Sequence, residues 1–141
     1  MGGRMSERED LLPGFIPTSL IEEGVIFNFS MARLRPRNIA WRKEAAIEVI
    51  TTLAEHGYAI LGGDVLELCG EQLAYTGVYW DLPDEDVVLW EEYVEDTRER
   101  SICFIEETAR RKGESFLCTI FFINEREYKE QMRNFGSIEY R

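Results

Sequence analysis

Residues 58 to 70 read Tyr58-Ala59-Ile60-Leu61-Gly62-Gly63-Asp64-Val65-Leu66-Glu67-Leu68-Cys69-Gly70. An apolar run passes into two glycines and an aspartate, and an alternating strand then follows. Glycine inside a strand usually marks a bulge or a close approach of another backbone. Asp64 either bonds backbone N–H groups that such a bulge exposes or presents its carboxylate to a ligand. We favour a structural role for the four residues Gly62, Gly63, Asp64 and Val65.

The same segment is predicted to form a hairpin with the residues that follow it. Tyr58–Leu68 and Leu73–Trp80 are typical of two strands joined by a turn at Cys69-Gly70-Glu71. Upstream, apolar residues recur at helical spacing from Arg42 to Glu55. Asn38 is the predicted N-terminal cap of that helix.

Downstream, the pattern predicts a second and longer helix. It runs from Asp84 to Arg111, with Asp84–Asp86 in the first turn, where the helix dipole favours negative charge. Ser115–Ile123 is a continuous apolar segment and is predicted to be a central strand. Val25–Phe29 is predicted to be a short edge strand. The polar tail is expected to add a short helix from Asn124 through Met132.

This order of elements predicts an α+β fold of two layers. The two main helices are expected to pack on one face of a small, mostly antiparallel sheet. The chain has 141 residues, which is the size of one domain. Residues 1–15 are expected to be a flexible lead and residues 125–141 a C-terminal extension.

The composition limits the classes of function. The formal net charge is −11, and an acidic surface repels phosphate backbones, so nucleic acid is not an expected partner. No apolar run approaches the ~20 residues of a membrane helix, and the start lacks the apolar region of a signal peptide. We therefore expect a cytoplasmic protein without membrane contact. An acidic face suits a basic protein partner, although it also serves simply as a solvated helix face.

Cysteine and histidine give no sign of a cofactor. The chain has three cysteines and one histidine, without the spacing of a zinc site or a disulfide framework. Cys103 and Cys118 lie in apolar runs and are expected in the core. We expect no metal, no cofactor and no catalytic residues.

Several segments resemble the bacterial Immunity protein 40 family. The resemblance covers Asn38–Asn124, and the Gly-Gly-Asp-Val segment is its most specific part. The matching segments are Ile39-Ala40-Trp41-Arg42-Lys43-Glu44-Ala45-Ala46, Ile60-Leu61-Gly62-Gly63-Asp64-Val65 and Thr76-Gly77-Val78-Tyr79-Trp80, together with Ser101 and Ile105. The resemblance implies a cytosolic antidote. Such a protein would bind the toxin domain of a polymorphic or contact-dependent toxin and neutralise it by stoichiometric occlusion.

If the resemblance holds, the toxin is expected to bind the acidic helix and the end of the hairpin. Tyr79 and Trp80 are the aromatic candidates, because interface anchors are enriched in these residue types. The alternative for Trp80 is a core position. The second helix or the edge strand near Val25 could mediate a homodimer. The acidic candidates are Glu91, Glu92, Glu95 and Asp96.

Two other classes of function stay open. A nucleotidyltransferase-like enzyme would use Leu61-Gly62-Gly63 as a phosphate-binding turn and would need two or three carboxylates around Mg²⁺. The positions expected to supply them hold Val78, Tyr79 and Trp80, which leaves Asp81 alone. The second alternative is an interaction or regulatory subunit unrelated to toxins.

Overall fold

The structure is a computed structural model that describes residues 12–27, 38–82 and 89–139. Helices and strands alternate along the chain, and the predicted α+β class is confirmed. In chain order the elements are α1 (Thr18–Glu23), β1 (Val25–Phe27), β2 (Asn38–Arg42), α2 (Lys43–Glu55), β3 (Ala59–Cys69), β4 (Gln72–Asp81), α3 (Trp90–Lys112), β5 (Leu117–Cys118), β6 (Phe121–Ile123) and α4 (Glu125–Glu139).

The strands of the described residues form one antiparallel sheet with the order β1-β2-β5-β3-β4, and β6 also pairs with β3. The predicted hairpin is confirmed: β3 and β4 pair from Gly62 opposite Asp81 to Cys69 opposite Gln72. The predicted edge strand is also present as β1, although residues 28–29 lie outside the described part of the chain. Strand β4 of the hairpin therefore forms one edge of the sheet, and β1 forms the other edge.

The two main helices contact each other and both contact β3. Each presents one apolar stripe, as a helix on a sheet must. In α2 the buried residues are Ala45, Ala46, Val49, Ile50 and Leu53, and in α3 they are Val94, Thr97, Ser101, Ile105 and Thr108. The Thr97 hydroxyl accepts a hydrogen bond of 3.0 Å from the backbone N–H of Ile60 and so ties α3 to the central strand. The predicted two-layer arrangement follows from these contacts.

The predicted start of the second helix is wrong. It begins at Trp90, because Leu89 is extended (φ −114°, ψ 122°) and occupies the N-cap position. Glu91 and Glu92 therefore occupy the first turn, where their charge is favourable to the helix dipole. Asp84–Asp86, which the sequence places there, lie outside the described residues.

The predicted cap and the predicted central strand are also corrected. Asn38 begins β2, and α2 starts only after Arg42, which is its N-cap residue. Ser115–Ile123 forms two short strands rather than one. The break occurs at Thr119, the next residue in register with Asp64. Its N–H donates to the Asp64 carbonyl (3.0 Å), but the Asp64 N–H donates to the Thr119 hydroxyl (2.9 Å) and not to a backbone carbonyl of β5.

Of the two cysteines predicted to be buried, only Cys118 is in the core. Burial raises the pKa of its thiol to about 12. Cys103 is exposed, because Ser101 and Ile105 face the core and the position midway between them points away from it.

The C-terminal helix is longer than predicted, and it begins with a capping box. The N–H of Glu127 donates to Oδ1 of Asn124 (2.8 Å), and the N–H of Asn124 donates to Oε1 of Glu127 (3.1 Å). Tyr128 then packs on Trp90 with ring centroids 5.3 Å apart. Phe15 stacks on His56, the C-cap residue of α2, with ring centroids 3.8 Å apart.

Candidate partner-binding site

The two glycines of β3 lie where the structure has no room for a side chain. A Cβ atom at Gly62 would overlap the carbonyl oxygen of Trp80, and one at Gly63 would overlap the carbonyl oxygen of Thr119. Both obstacles are backbone atoms, so a rotamer change cannot relieve them. Close approach of neighbouring backbone therefore accounts for the glycine pair without a bound phosphate.

Asp64 is held by its backbone rather than by its side chain. Its N–H donates to the Thr119 hydroxyl (2.9 Å), and its carbonyl accepts from the Thr119 N–H (3.0 Å). The sequence led us to expect the Asp64 carboxylate to bond the exposed N–H groups. In the part of the chain that the structure describes, the carboxylate makes no hydrogen bond. The Thr119 hydroxyl is the acceptor for the backbone N–H group at this position instead.

The side chain of Asp64 is half-buried, and burial raises the pKa of its carboxyl. The pKa of Tyr75 is raised to about 12. Burial is the larger cause, and the negative charge of the Asp64 carboxylate adds to it. Tyr75 lies opposite Leu66, two positions along β3 from Asp64, so both side chains are on the same face of the hairpin.

Asp64 and Asp81 line one cleft of about 360 Å³ at the end of the hairpin. Asp64 pairs with Tyr79 and Gly62 pairs with Asp81, so these three side chains lie on one face of the sheet. No lysine or arginine is among the described residues that line the cleft. Its lining is Leu61, Gly62, Gly63, Asp64, Tyr79, Trp80, Asp81, Phe121 and Phe122. The cleft thus combines two carboxylates with aromatic walls.

Tyr79 and Trp80, both predicted contact residues, point in opposite directions. Tyr79 is 63% exposed, whereas Trp80 is only 6% exposed. Nε1 of Trp80 donates to Oγ of Ser101 (3.0 Å), and its ring stacks on Phe104 with centroids 5.0 Å apart. Trp80 therefore fastens β4 to α3, and we withdraw it as a contact residue. Tyr79 remains available at the surface.

The four predicted acidic residues are all exposed on the first half of α3, and they differ in what they contact. Glu95 pairs with Arg98, whose hydrogen bond lowers the pKa of the Glu95 carboxyl. Oδ2 of Asp96 lies 3.6 Å from Nε of Arg100. Glu91 and Glu92 make no ion pair with any described residue.

The predicted site residues thus form two separate groups, the acids of α3 and the cleft residues. The cleft contains no residue of α3, and Tyr79 opens away from that helix. The sequence did not predict that Asp81, Phe121 and Phe122 line one cleft together with Asp64. The hairpin register could have linked Asp81 to it, because diagonal neighbours on paired strands lie ~7–8 Å apart.

The described residues contain no group of three or more histidine, cysteine, aspartate or glutamate side chains that could hold a metal ion. They also contain no helix with the length and apolar character needed to cross a membrane.

Comparison with known protein families finds one matching family. The sequence profile of Immunity protein 40 matches residues 30–122, about two thirds of the chain. The chain belongs to the Immunity protein 40 family. The Immunity protein 40 match runs from before β2 to within β6, so it includes every residue that lines the cleft, and α4 lies beyond it. No curated protein and no solved structure gives a significant match.

Proposed function

We propose that this protein binds one cognate bacterial toxin domain and neutralises it by covering its active surface, one molecule to one and without turnover. Membership of the Immunity protein 40 family over residues 30–122 carries this proposal. The protein would act in the cytoplasm of the cell that produces the toxin, as the antidote of a polymorphic toxin system. The formal net charge of −11 favours a partner with a basic surface.

We propose the first half of α3 as one contact surface for that toxin. Glu91 and Glu92 lie in the first turn and make no described ion pair, so their charges are available to a partner. Glu95 and Asp96 extend the same acidic stretch, although Arg98 and Arg100 partly neutralise them. A charged surface of this kind acts mainly on the rate of encounter.

A charge-reversal experiment tests this surface. The variant carries Glu92→Lys and Glu95→Lys, and its matched control carries Glu106→Lys and Glu130→Lys, two exposed glutamates outside the proposed surface. Both variants change the net charge equally. The probe is the cognate toxin domain, which we expect the gene adjacent to this one to encode. We expect the first variant to associate about tenfold more slowly at low salt, and the difference to shrink as the Debye length falls from ~30 Å at 0.01 M salt to ~8 Å at 0.15 M.

Equal association rates for the variant and its control would remove the acids of α3 from the interface. They would then serve as a solvated face and as charges favourable to the helix dipole. Circular dichroism of both variants checks that α3 still forms. Neutralisation itself is tested by co-expression: the toxin domain should stop growth when expressed alone and permit growth when this protein is present.

One observation favours an enzyme as a second candidate: Asp64 and Asp81, on different strands, line the same cleft. Mg²⁺-dependent nucleotidyl transfer uses two or three such carboxylates. Against it, the glycine pair that would hold phosphate is accounted for by backbone packing. Calorimetry with Mg²⁺ and ATP separates the candidates. We expect no saturable heat, whereas saturable binding that disappears in Asp64→Ala would favour the enzyme.

A further inference from the structure

We propose that the cleft between Asp64 and Asp81 receives one arginine side chain of the toxin, with the guanidinium between the carboxylates and against the ring of Tyr79. This inference deepens the proposed function and rests on it for the identity of the partner. It assigns a specific chemical contact to a set of lining residues that does not include the acids of α3.

The charge of the cleft selects a cation. The acidic side chains among its described lining residues are Asp64 and Asp81, and no lysine or arginine lies among them. Guanidinium is planar, has five N–H donors and stays charged at all relevant pH values, so it can bond two carboxylates at once. An anion such as a phosphate group would meet like charge here, which makes it a poor occupant.

The walls of the cleft select a flat, weakly hydrated cation. Tyr79 is 63% exposed, and Phe121 and Phe122, which also line the cleft, are half-buried. Arginine stacks on aromatic faces more often than lysine does, and its apolar stem can cover such surface. A volume of about 360 Å³ is that of a small-ligand cleft, in the range that accommodates one side chain.

Asp64 is fixed in place before any partner arrives. The two hydrogen bonds between its backbone and Thr119 hold this position, and Thr119 is fully buried. Its half-buried carboxylate makes no ion pair with any described residue. Burial without a partner raises the pKa of this carboxyl, so an incoming cation would offset a desolvation cost that the fold already carries.

The first test uses a small probe and needs no toxin. N-acetyl-arginine methylamide is titrated at millimolar concentration into the full-length protein, and backbone amide shifts are followed by NMR. The matched probe is the citrulline analogue, which has the same shape and no charge. We expect saturable shifts centred on Gly63, Asp64 and Tyr79 with the arginine compound only. Equal responses to both compounds, or shifts elsewhere, would overturn the inference.

Two variants locate the contact. Asp64→Asn removes the charge with little change in shape, and Glu71→Gln makes the same change at an exposed turn residue as a control. We expect Asp64→Asn to weaken arginine binding at least about tenfold, as expected for a charged hydrogen-bond partner, and Glu71→Gln to leave it unchanged. Thermal unfolding separates binding from structure. If Asp64 served the fold, its variant would melt lower, whereas the binding role predicts an equal or higher midpoint.

The toxin domain of the adjacent gene then tests the identity of the occupant. Asp64→Asn and Tyr79→Ala should both weaken binding of that domain, and Glu71→Gln should not. If wild-type protein neutralises the toxin and these two variants do so equally well, the arginine inference fails while the proposed function stands. If wild-type protein does not neutralise the toxin, the proposed function fails and the toxin as occupant fails with it. The small-probe titration still decides whether the cleft takes arginine.

Discussion

Replacing Gly63 by alanine tests the reason for the glycine pair. The added Cβ would overlap the Thr119 carbonyl oxygen and lie 2.5 Å from Cη2 of the Trp80 ring. The ring belongs to a side chain that is itself packed on α3, and the carbonyl is backbone. Neither can move aside alone, so β3 must separate from the segment that contains Thr119.

The loss of unfolding free energy in Gly63→Ala has two contributions. Overpacking of a tight core position costs ~1–3 kcal/mol. Separation of Asp64 from Thr119 lengthens two hydrogen bonds, which contribute about 1 kcal/mol each. The expected loss is therefore about 3–5 kcal/mol, a large part of the ~5–15 kcal/mol that stabilises a domain. At this chain length it corresponds to a midpoint lowered by roughly 10–20 °C.

Two other glycines provide matched controls. Gly70 has open space around it but a positive φ of +68°, so alanine there should cost only about 1 kcal/mol. Gly14 has open space and no positive φ, so alanine there should be neutral or stabilise by ~0.4–1 kcal/mol. Urea unfolding followed by tryptophan fluorescence measures the series. If Gly63→Ala were as stable as Gly14→Ala, the packing explanation would be refuted, and a ligand-binding role for this glycine would return.

Three further predictions concern other parts of the fold. A thiol reagent should label two cysteines in the native protein and the third, Cys118, only after unfolding, because its thiol is buried; labelling of all three in the native state would contradict the core position. Asn124→Ala should remove the capping box and destabilise α4 by about 1 kcal/mol, seen as faster amide exchange confined to that helix. Burial raises the pKa of the Asp64 carboxyl in the folded state, so the wild type should lose stability as pH rises from the ordinary aspartate pKa through the folded value. Asp64→Asn lacks this loss. The difference in unfolding free energy between the two proteins should therefore widen with pH and close in acid.

The elements of the fold could be predicted because their signals are local. The helical spacing from Arg42 to Glu55 and the alternation on both sides of Gly70 depend only on neighbouring residues. The break at Thr119 could not be predicted in this way, because it depends on hydrogen bonds to Asp64 on another strand. An apolar run such as Ser115–Ile123 therefore looked continuous.

The candidate site was predictable only in part, for the same reason. Strand alternation places consecutive side chains on opposite faces, so Tyr79 and Trp80 do not share one surface, and Trp80 takes the core position that was its alternative. The pairing of Asp64 with Asp81 across the cleft depends on the hairpin register, which a pattern of residue types leaves undetermined. Within the Gly-Gly-Asp-Val segment, packing leaves no room for a side chain at either glycine and buries Val65 completely.

Stoichiometric neutralisation of the toxin domain can be measured in a single titration. The purified toxin domain of the adjacent gene is held at a concentration well above the dissociation constant, and its activity is measured while this protein is added. We expect the toxin activity to fall linearly to zero with the end point at one protein per toxin, unchanged by longer incubation. Full activity at a large excess of this protein would rule out stoichiometric neutralisation, and so would inactivation of many toxin molecules by one.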